Sequence, residues 1–237
     1  MLRHGETINN VLAMISREDY ETKRSHEPEL SQIGSKACLL MGEAMGKAGF
    51  KIDKVLCSGQ KRAILTAKHW RQGYLESSKR GENVDIQLMV RCHERGGCYQ
   101  GTKVFPGLNK IQMQELCEDI IVNEDQDVTD TKGWHENRKE VETTAEFHER
   151  VKEVVRDWKE MHKFNKDKTF LCISHGCFLR VLMLTLTCQM SLLCDNFHPK
   201  NNSLTILDFI DVKNPGTNTE YVDVKIQAFN LQLIDEV

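Results

Sequence analysis

Short apolar runs of strand character alternate with helical segments along this chain, and no other feature restricts its fold as much. Residues 55–58 read as a short buried strand leading into a helix from Arg62 to about Leu75, and residues 86–90 as another strand. Residues 169–174 read as a third, followed by an apolar helix from Phe178 to about Met190. Ser31 is placed to cap a helix that runs to Gly49 with Ala37, Leu40, Met41, Ala44 and Met45 at helical spacing. Residues 144–162 form an amphipathic helix through Phe147, Val151, Val154, Val155 and Trp158. Residues 111–122 read as a short helix and the polar stretch 123–141 as exposed. Residues 203–210 and 221–229 close the chain as β-type segments around an Asn214-Pro215-Gly216 turn. This pattern predicts an α/β fold, a three-layer α/β/α sandwich on a mostly parallel mixed sheet. All 237 residues fit one domain.

Several functional classes are disfavoured at once. A formal net charge of -3, with no Lys/Arg stripe, gives no footprint for nucleic acid. No run approaches the roughly 18 apolar residues of a membrane span, and no signal peptide opens the chain, so a cytoplasmic protein that does not engage membranes is expected. Nine cysteines are scattered without a Cys-x2-Cys pair, which disfavours a zinc knuckle or a disulfide framework. They read as reduced thiols that mostly serve as small core hydrophobes.

In parallel-sheet folds ligands bind beyond the carboxyl ends of strands, and three polar groups fall at such ends. Arg3-His4-Gly5 follows the first strand, Ser58 through Arg62 the second, and His175-Gly176 the strand near residue 170. Arg3 offers a planar fork suited to phosphate oxygens, and His4 is a nucleophile or proton carrier near neutral pH. Arg62 falls in the first turn of a helix, where backbone N–H groups also favour anions. Taken singly, an Arg-His-Gly tripeptide arises by chance, a helix-start Arg is usually solvated, and a lone His beside a core strand is usually structural. Together they describe two imidazoles and two guanidiniums around one phosphoryl group.

These residues resemble the histidine phosphatase superfamily, the group that includes phosphoglycerate mutases and fructose-2,6-bisphosphatases. The resemblance is carried by Leu2-Arg3-His4-Gly5-Glu6-Thr7 with Asn10, Leu30-Ser31 with Gly34, Ser58 with Arg62-Ala63 and Thr66-Ala67, Glu94, and Ser174-His175-Gly176. It implies a phosphoglycerate mutase-like fold and a phosphomonoester hydrolase that needs neither metal nor cofactor. His4 matches the nucleophile that becomes phosphohistidine. Arg3, Arg62 and His175 match the phosphate pocket, and Asn10 matches a phosphate-contacting asparagine. Glu94 matches the acid that protonates the leaving oxygen and then activates water, with Glu82, Glu115 and Glu118 as rivals by residue type. Arg95 and Tyr99 are substrate-contact candidates in the same loop, within a variable substrate-side insertion at about 95–142.

The chain departs from the family pattern in two places. Only Met1 and Leu2 precede Arg3, so a shortened central strand and a looser hold on His4 are expected. The charged stretch 16–29 replaces a simpler approach to the helix after Ser31 and reads as a substrate-side loop. Gly101 and Gly107-Leu108-Asn109-Lys110 have a mutase flavour, whereas residues 198–205 resemble a phosphatase ending. Hydrolysis is therefore preferred, with mutase-type phosphotransfer and a non-catalytic phospho-ligand module as alternatives. A small phosphorylated metabolite or a phosphoprotein is the expected substrate. Trp134 and His135 read as a surface loop or a cap over the pocket, and Cys172 and Cys177, which flank His175, as buried inert thiols.

Overall fold

The structure, a computed structural model, describes residues 1–78, 83–187, 198–213, 217 and 220–233. Along the chain run β1 (Leu2–Arg3), α1 (Ile8–Ile15), α2 (Arg17–Lys23), α3 (Gln32–Lys47), β2 (Lys54–Cys57), α4 (Lys61–Ser77) and β3 (Asp85–Leu88). A small hairpin of β4 (Tyr99–Gln100) and β5 (Lys103–Val104) follows, then α5 (Lys110–Leu116) and α6 (Thr144–Phe164). The chain ends with β6 (Phe170–Ser174), α7 (Gly176–Leu186), β7 (Leu204–Lys213) and β8 (Glu220–Leu231).

Local chemistry sets the helix starts. Ser31 Oγ accepts the Gly34 N–H at 2.8 Å to open α3, and Thr143 and Glu146 form a reciprocal capping box at the start of α6. The six-stranded sheet has the order β3-β2-β6-β1-β7-β8. β2 pairs parallel with β3 and β6, and β6 pairs parallel with β1. β7 is antiparallel to both β1 and β8. The period of two along β6 separates the layers: Leu171 and Ile173 pack with Met41, Met45, Ala67 and Trp70 of α3 and α4. Cys172 points the other way, into Val151, Val154, Phe178 and Leu182 of α6 and α7. Helices therefore cover both faces of a mainly parallel sheet. A side chain as enclosed as Trp70 or Phe178 contributes about 1.5–3 kcal/mol by leaving water.

β1 is short and central. Leu2 and Arg3 pair with Ile173 and Ser174 on one side, and Leu2 with Leu204 on the other. The Met1 ammonium donates to Thr205 O at 2.7 Å, and burial pulls its pKa down to about 6. A cavity of about 640 Å³ lies beside it, lined in part by Thr169, Leu171, Ile206 and Asp208.

Five expectations need correction. The charged stretch 16–29, expected as a loop, carries α2 over Arg17–Lys23, opened by the Ser16 hydroxyl accepting the Asp19 N–H. The strand near residue 86 stops at Leu88, because Val90–Cys92 turn as a single 3-10 helix. The helix expected over 111–122 ends at Leu116, since Ile121 is drawn to the sheet edge: its N–H donates to Ile86 O, and its carbonyl accepts from Leu88 N–H, both at 2.8 Å. The stretch 123–141 is not uniformly exposed, because Val128, Trp134 and His135 are buried. Its backbone folds back along the chain, with Trp134 N–H donating to Leu108 O and His135 N–H to Pro106 O. Cys177 is exposed, whereas Cys38, Cys57, Cys92, Cys98, Cys117 and Cys172 are buried free thiols. The Asn214-Pro215-Gly216 turn, the helix end near Met190, Glu82, Cys188 and Cys194 lie outside the described residues. Among the described residues no helix is long and apolar enough to cross a membrane.

Candidate active site

Three strands deliver the candidate residues to one place. β1, β2 and β6 are neighbours or next neighbours in parallel register, so their carboxyl ends open on the same edge of the sheet. The ladder continues one step past each strand: His4 N–H donates to Ser174 O at 2.9 Å, and Ser58 N–H to Ile173 O at 3.2 Å. His4 and His175 consequently stand with ring centroids 5.2 Å apart. The Asn201 amide ties the turn from the far side, donating to His4 O at 3.0 Å and Gly5 O at 3.2 Å.

Hydrogen bonds select one tautomer of His4. Its Nδ1 lies 2.8 Å from Gly5 O, which can only accept, so Nδ1 carries the proton. Its Nε2 receives the Arg62 Nε–H at 3.3 Å and is therefore the bare nitrogen. Burial holds the His4 pKa well below its ordinary value, and the Arg62 and Arg3 charges push it further down. His175, fully enclosed, pairs through Nε2 with Ser58 Oγ at 2.8 Å. Burial also holds its pKa well below the usual range, reinforced by Arg62. Its Nδ1 is buried without a hydrogen-bond partner, as is Nε of Arg3.

The two guanidiniums are fixed from behind. Arg3 Nη1 donates to Pro199 O at 2.6 Å, and its guanidinium lies over the start of α7, where a Cβ on residue 176 would sit 3.3 Å from Arg3 Cζ. Glycine at 176 leaves room for that approach. Arg62 Nη2 donates to Gln60 Oε1 at 3.2 Å, and the same oxygen accepts the Glu94 N–H at 2.9 Å. Gln60 thereby links the Arg62 helix to the Glu94 loop.

Glu94 is brought to the cluster. Its Oε2 accepts the Cys177 N–H at 3.2 Å, while Oε1 accepts the Phe178 N–H at 3.1 Å and the Arg95 N–H at 2.9 Å. The carboxyl group therefore sits on the N-terminal turn of α7, immediately after His175, and its charge acts on both Arg3 and Arg62. Its rivals Glu115 and Glu118 are exposed on α5 and just beyond it. Asn10 is committed in part: its Oδ1 accepts from Thr7 N and Thr7 Oγ1, closing the capping box of α1, and from Asn201 Nδ2 at 3.4 Å. Arg95 reaches away to Thr144 Oγ1 at 2.7 Å. The Tyr99 ring lies against Arg24, whose guanidinium is 5.3 Å from its centroid.

One residue at the site has no signal in the local motifs. Glu27, in the charged stretch before Ser31, accepts the Lys61 N–H at 2.8 Å and the Trp134 indole N–H at 3.4 Å. Burial raises its pKa, and Arg62 opposes that shift. Trp134 thus closes over Glu27, whose charge acts on Arg62. Only the spacing of Glu27 before Pro28 and Leu30 hints at a fixed position in sequence. Among the described residues, no group of three or more His, Cys, Asp or Glu is placed to hold a metal ion.

A family model described as the histidine phosphatase superfamily, branch 1, matches residues 1–215. No curated protein matches the chain in sequence. Among solved structures, the fold is similar to that of YhfR from Bacillus stearothermophilus, with a TM-score of 0.59 and 16% identity over 98% of this chain and 97% of that one. It is similar to phosphoserine phosphatase from Entamoeba histolytica in complex with 3-phosphoglyceric acid, with a TM-score of 0.57 and 20% identity over 98% and 97%. It is also similar to mycobacterial glucosyl-3-phosphoglycerate phosphatase in complex with VO3, with a TM-score of 0.55 and 16% identity over 97% of each chain.

Proposed function

Because the chain belongs to the histidine phosphatase superfamily, branch 1, we propose that it is a phosphomonoester hydrolase that works without a metal through a phosphohistidine on His4. The observation that carries this reading is the fixed tautomer of His4, whose unprotonated Nε2 lies beside Arg62. In the first step the Nε2 lone pair attacks phosphorus, the P–O ester bond breaks, and the Glu94 carboxyl proton passes to the leaving oxygen. Oε2 of Glu94 accepts one backbone N–H where Oε1 accepts two, so Oε2 is the better placed to carry that proton. In the second step water attacks phosphorus, Glu94 takes its proton, the P–N bond breaks and phosphate departs. Arg3, Arg62 and His175 hold the equatorial oxygens; the unpartnered Arg3 Nε is a donor with capacity to spare, and so is His175 Nδ1 when the Ser58 hydroxyl donates to Nε2. The bond from Nδ1–H to Gly5 O supports the positive charge that develops on the His4 ring.

Two of the structurally similar proteins are phosphatases by name, of phosphoserine and of glucosyl-3-phosphoglycerate. A small phosphorylated metabolite is the substrate class this favours. The test is hydrolysis of p-nitrophenyl phosphate in excess chelator, with rapid quenching in base to trap an alkali-stable, acid-labile phosphoprotein. Turnover and the trapped species are expected to survive chelation and to vanish in His4→Ala. Chelator-sensitive turnover, or wild-type rates in that variant, would refute the mechanism. Adding a bisphosphorylated sugar acid tests the mutase alternative, and isomerisation faster than hydrolysis would overturn the assignment as a hydrolase.

A further inference from the structure

Glu142 and Arg150 form a nearly buried ion pair outside the pocket, their side chains 6% and 11% exposed. Glu142 immediately precedes the capping box of α6, and Arg150 lies two turns into that helix. The guanidinium meets the carboxylate as a fork, Nε to Oε1 at 2.7 Å and Nη2 to Oε2 at 2.8 Å. The remaining donors and acceptors all serve one loop. Arg150 Nη1 donates to Arg91 O at 2.6 Å and to His93 O at 3.1 Å. Glu142 Oε2 accepts the Gly96 N–H at 3.1 Å, where a φ of 87° at Gly96 turns the chain. The pair therefore grips the backbone on both sides of Glu94. Its guanidinium also lies 5.7 Å from the ring of Phe178, the residue whose N–H holds Glu94 Oε1.

A buried ion pair is a poor device for stability alone, because removing two charges from water offsets much of their attraction. Its value lies in geometry. We propose that Glu142 and Arg150 are positioning residues for the general acid, fixing where the Glu94 carboxyl group meets the leaving oxygen. The proposal rests on the reading of Glu94 as that acid. Neither side chain touches the phosphoryl group. Loosening the clamp should therefore leave phosphate binding and nucleophilic attack intact and weaken only proton delivery.

Proton delivery has its own signature, since an acidic leaving group departs unaided and a basic one does not. The experiment measures kcat/KM, which includes P–O cleavage whatever step limits turnover, on p-nitrophenyl, phenyl and benzyl phosphate. The wild type, Glu94→Gln, Glu142→Gln and Arg150→Lys are compared, with urea unfolding and inhibition by inorganic phosphate as controls. For Glu142→Gln we expect a loss of roughly 30- to 100-fold on benzyl phosphate and less than about 3-fold on p-nitrophenyl phosphate, with phosphate inhibition unchanged. Arg150→Lys keeps the charge but not the fork and should follow the same pattern. Glu94→Gln should show the steepest dependence of all. A steep Glu94→Gln series with Glu142→Gln and Arg150→Lys parallel to the wild type would overturn the positioning role. A flat Glu94→Gln series would refute the reading of Glu94 itself and take the positioning role with it. If Glu142→Gln does not fold, Arg150→Lys alone decides between these results.

Discussion

His4, His93 and His175 are all buried, and burial is the leading cause that holds each well below the ordinary value of 6.5. Their neutrality in the folded protein has a measurable cost in acid. As pH falls below 6.5 the unfolded chain takes up a proton at each of these positions while the folded chain does not, so unfolding is favoured. The stabilisation is complete above the unfolded value and is lost as pH drops toward the folded one. For one such group, going from about pH 7.5 to about pH 5.5 removes roughly 1 kcal/mol, and for three a few kcal/mol. His135 and the Met1 ammonium, whose pKa values burial also lowers, act in the same direction. Glu27 acts in the opposite direction, because its raised folded value lets the folded chain bind a proton first. Against a typical total of 5–15 kcal/mol the loss is large. Urea unfolding at the two pH values measures it, and His93→Gln should reduce the pH-dependent loss by roughly 1 kcal/mol. A loss under about 2 kcal/mol, which the Met1 ammonium alone can supply, with no reduction in His93→Gln, would mean that the folded histidines titrate with the unfolded ones. The neutral His4 assigned here as nucleophile would then lose its physical basis.

Two further outcomes follow from the pocket. Arg62→Met removes both the charge and the donor at His4 Nε2, so kcat/KM on phenyl phosphate should fall by roughly 10²–10³-fold with little change in urea midpoint; a loss below about 10-fold would remove Arg62 from the reacting group. Orthovanadate, which adopts the five-coordinate shape of the transferring phosphoryl group, should compete with substrate and bind at least about 10²-fold more tightly than inorganic phosphate. Equal affinity for the two anions, measured by competitive inhibition, would show a ground-state phosphate site only.

The parts legible in the sequence are those specified by near neighbours in the chain. Ser31, Thr143 and the apolar spacing of α3 and α6 determine their helices locally, and the alternation of Leu171, Cys172 and Ile173 assigns the faces of β6. His4, Ser58 and His175 were readable for the same reason, since each ends a strand and parallel strands share an edge. The rest depends on partners far away in sequence. Glu27 acquires its place from Lys61 and Trp134, and Gln60 from Glu94. The burial of Trp134 follows from contacts with Leu108 and Glu27 that no local pattern encodes. The Glu142–Arg150 clamp spans two turns of one helix, but its purpose is visible only once the Glu94 loop lies across it. The local pattern extends α5 too far because the competing attraction, the edge of β3, is contributed by another part of the chain.

The brevity of β1 has a mechanical consequence. Among the described residues, the parallel strands β3, β2 and β6 and the antiparallel pair β7 and β8 meet at β1, where Met1, Leu2 and Arg3 carry main-chain bonds to the antiparallel side, like two panels sharing one narrow hinge plate. That plate runs straight into His4, the proposed nucleophile. A fluctuation that parts the panels strains the main-chain bonds next to His4, so the proposed nucleophile shares in any such motion. The joint and the residue that bears the proposed reacting group are neighbours in the main chain, so the stiffness of one bears on the precision of the other.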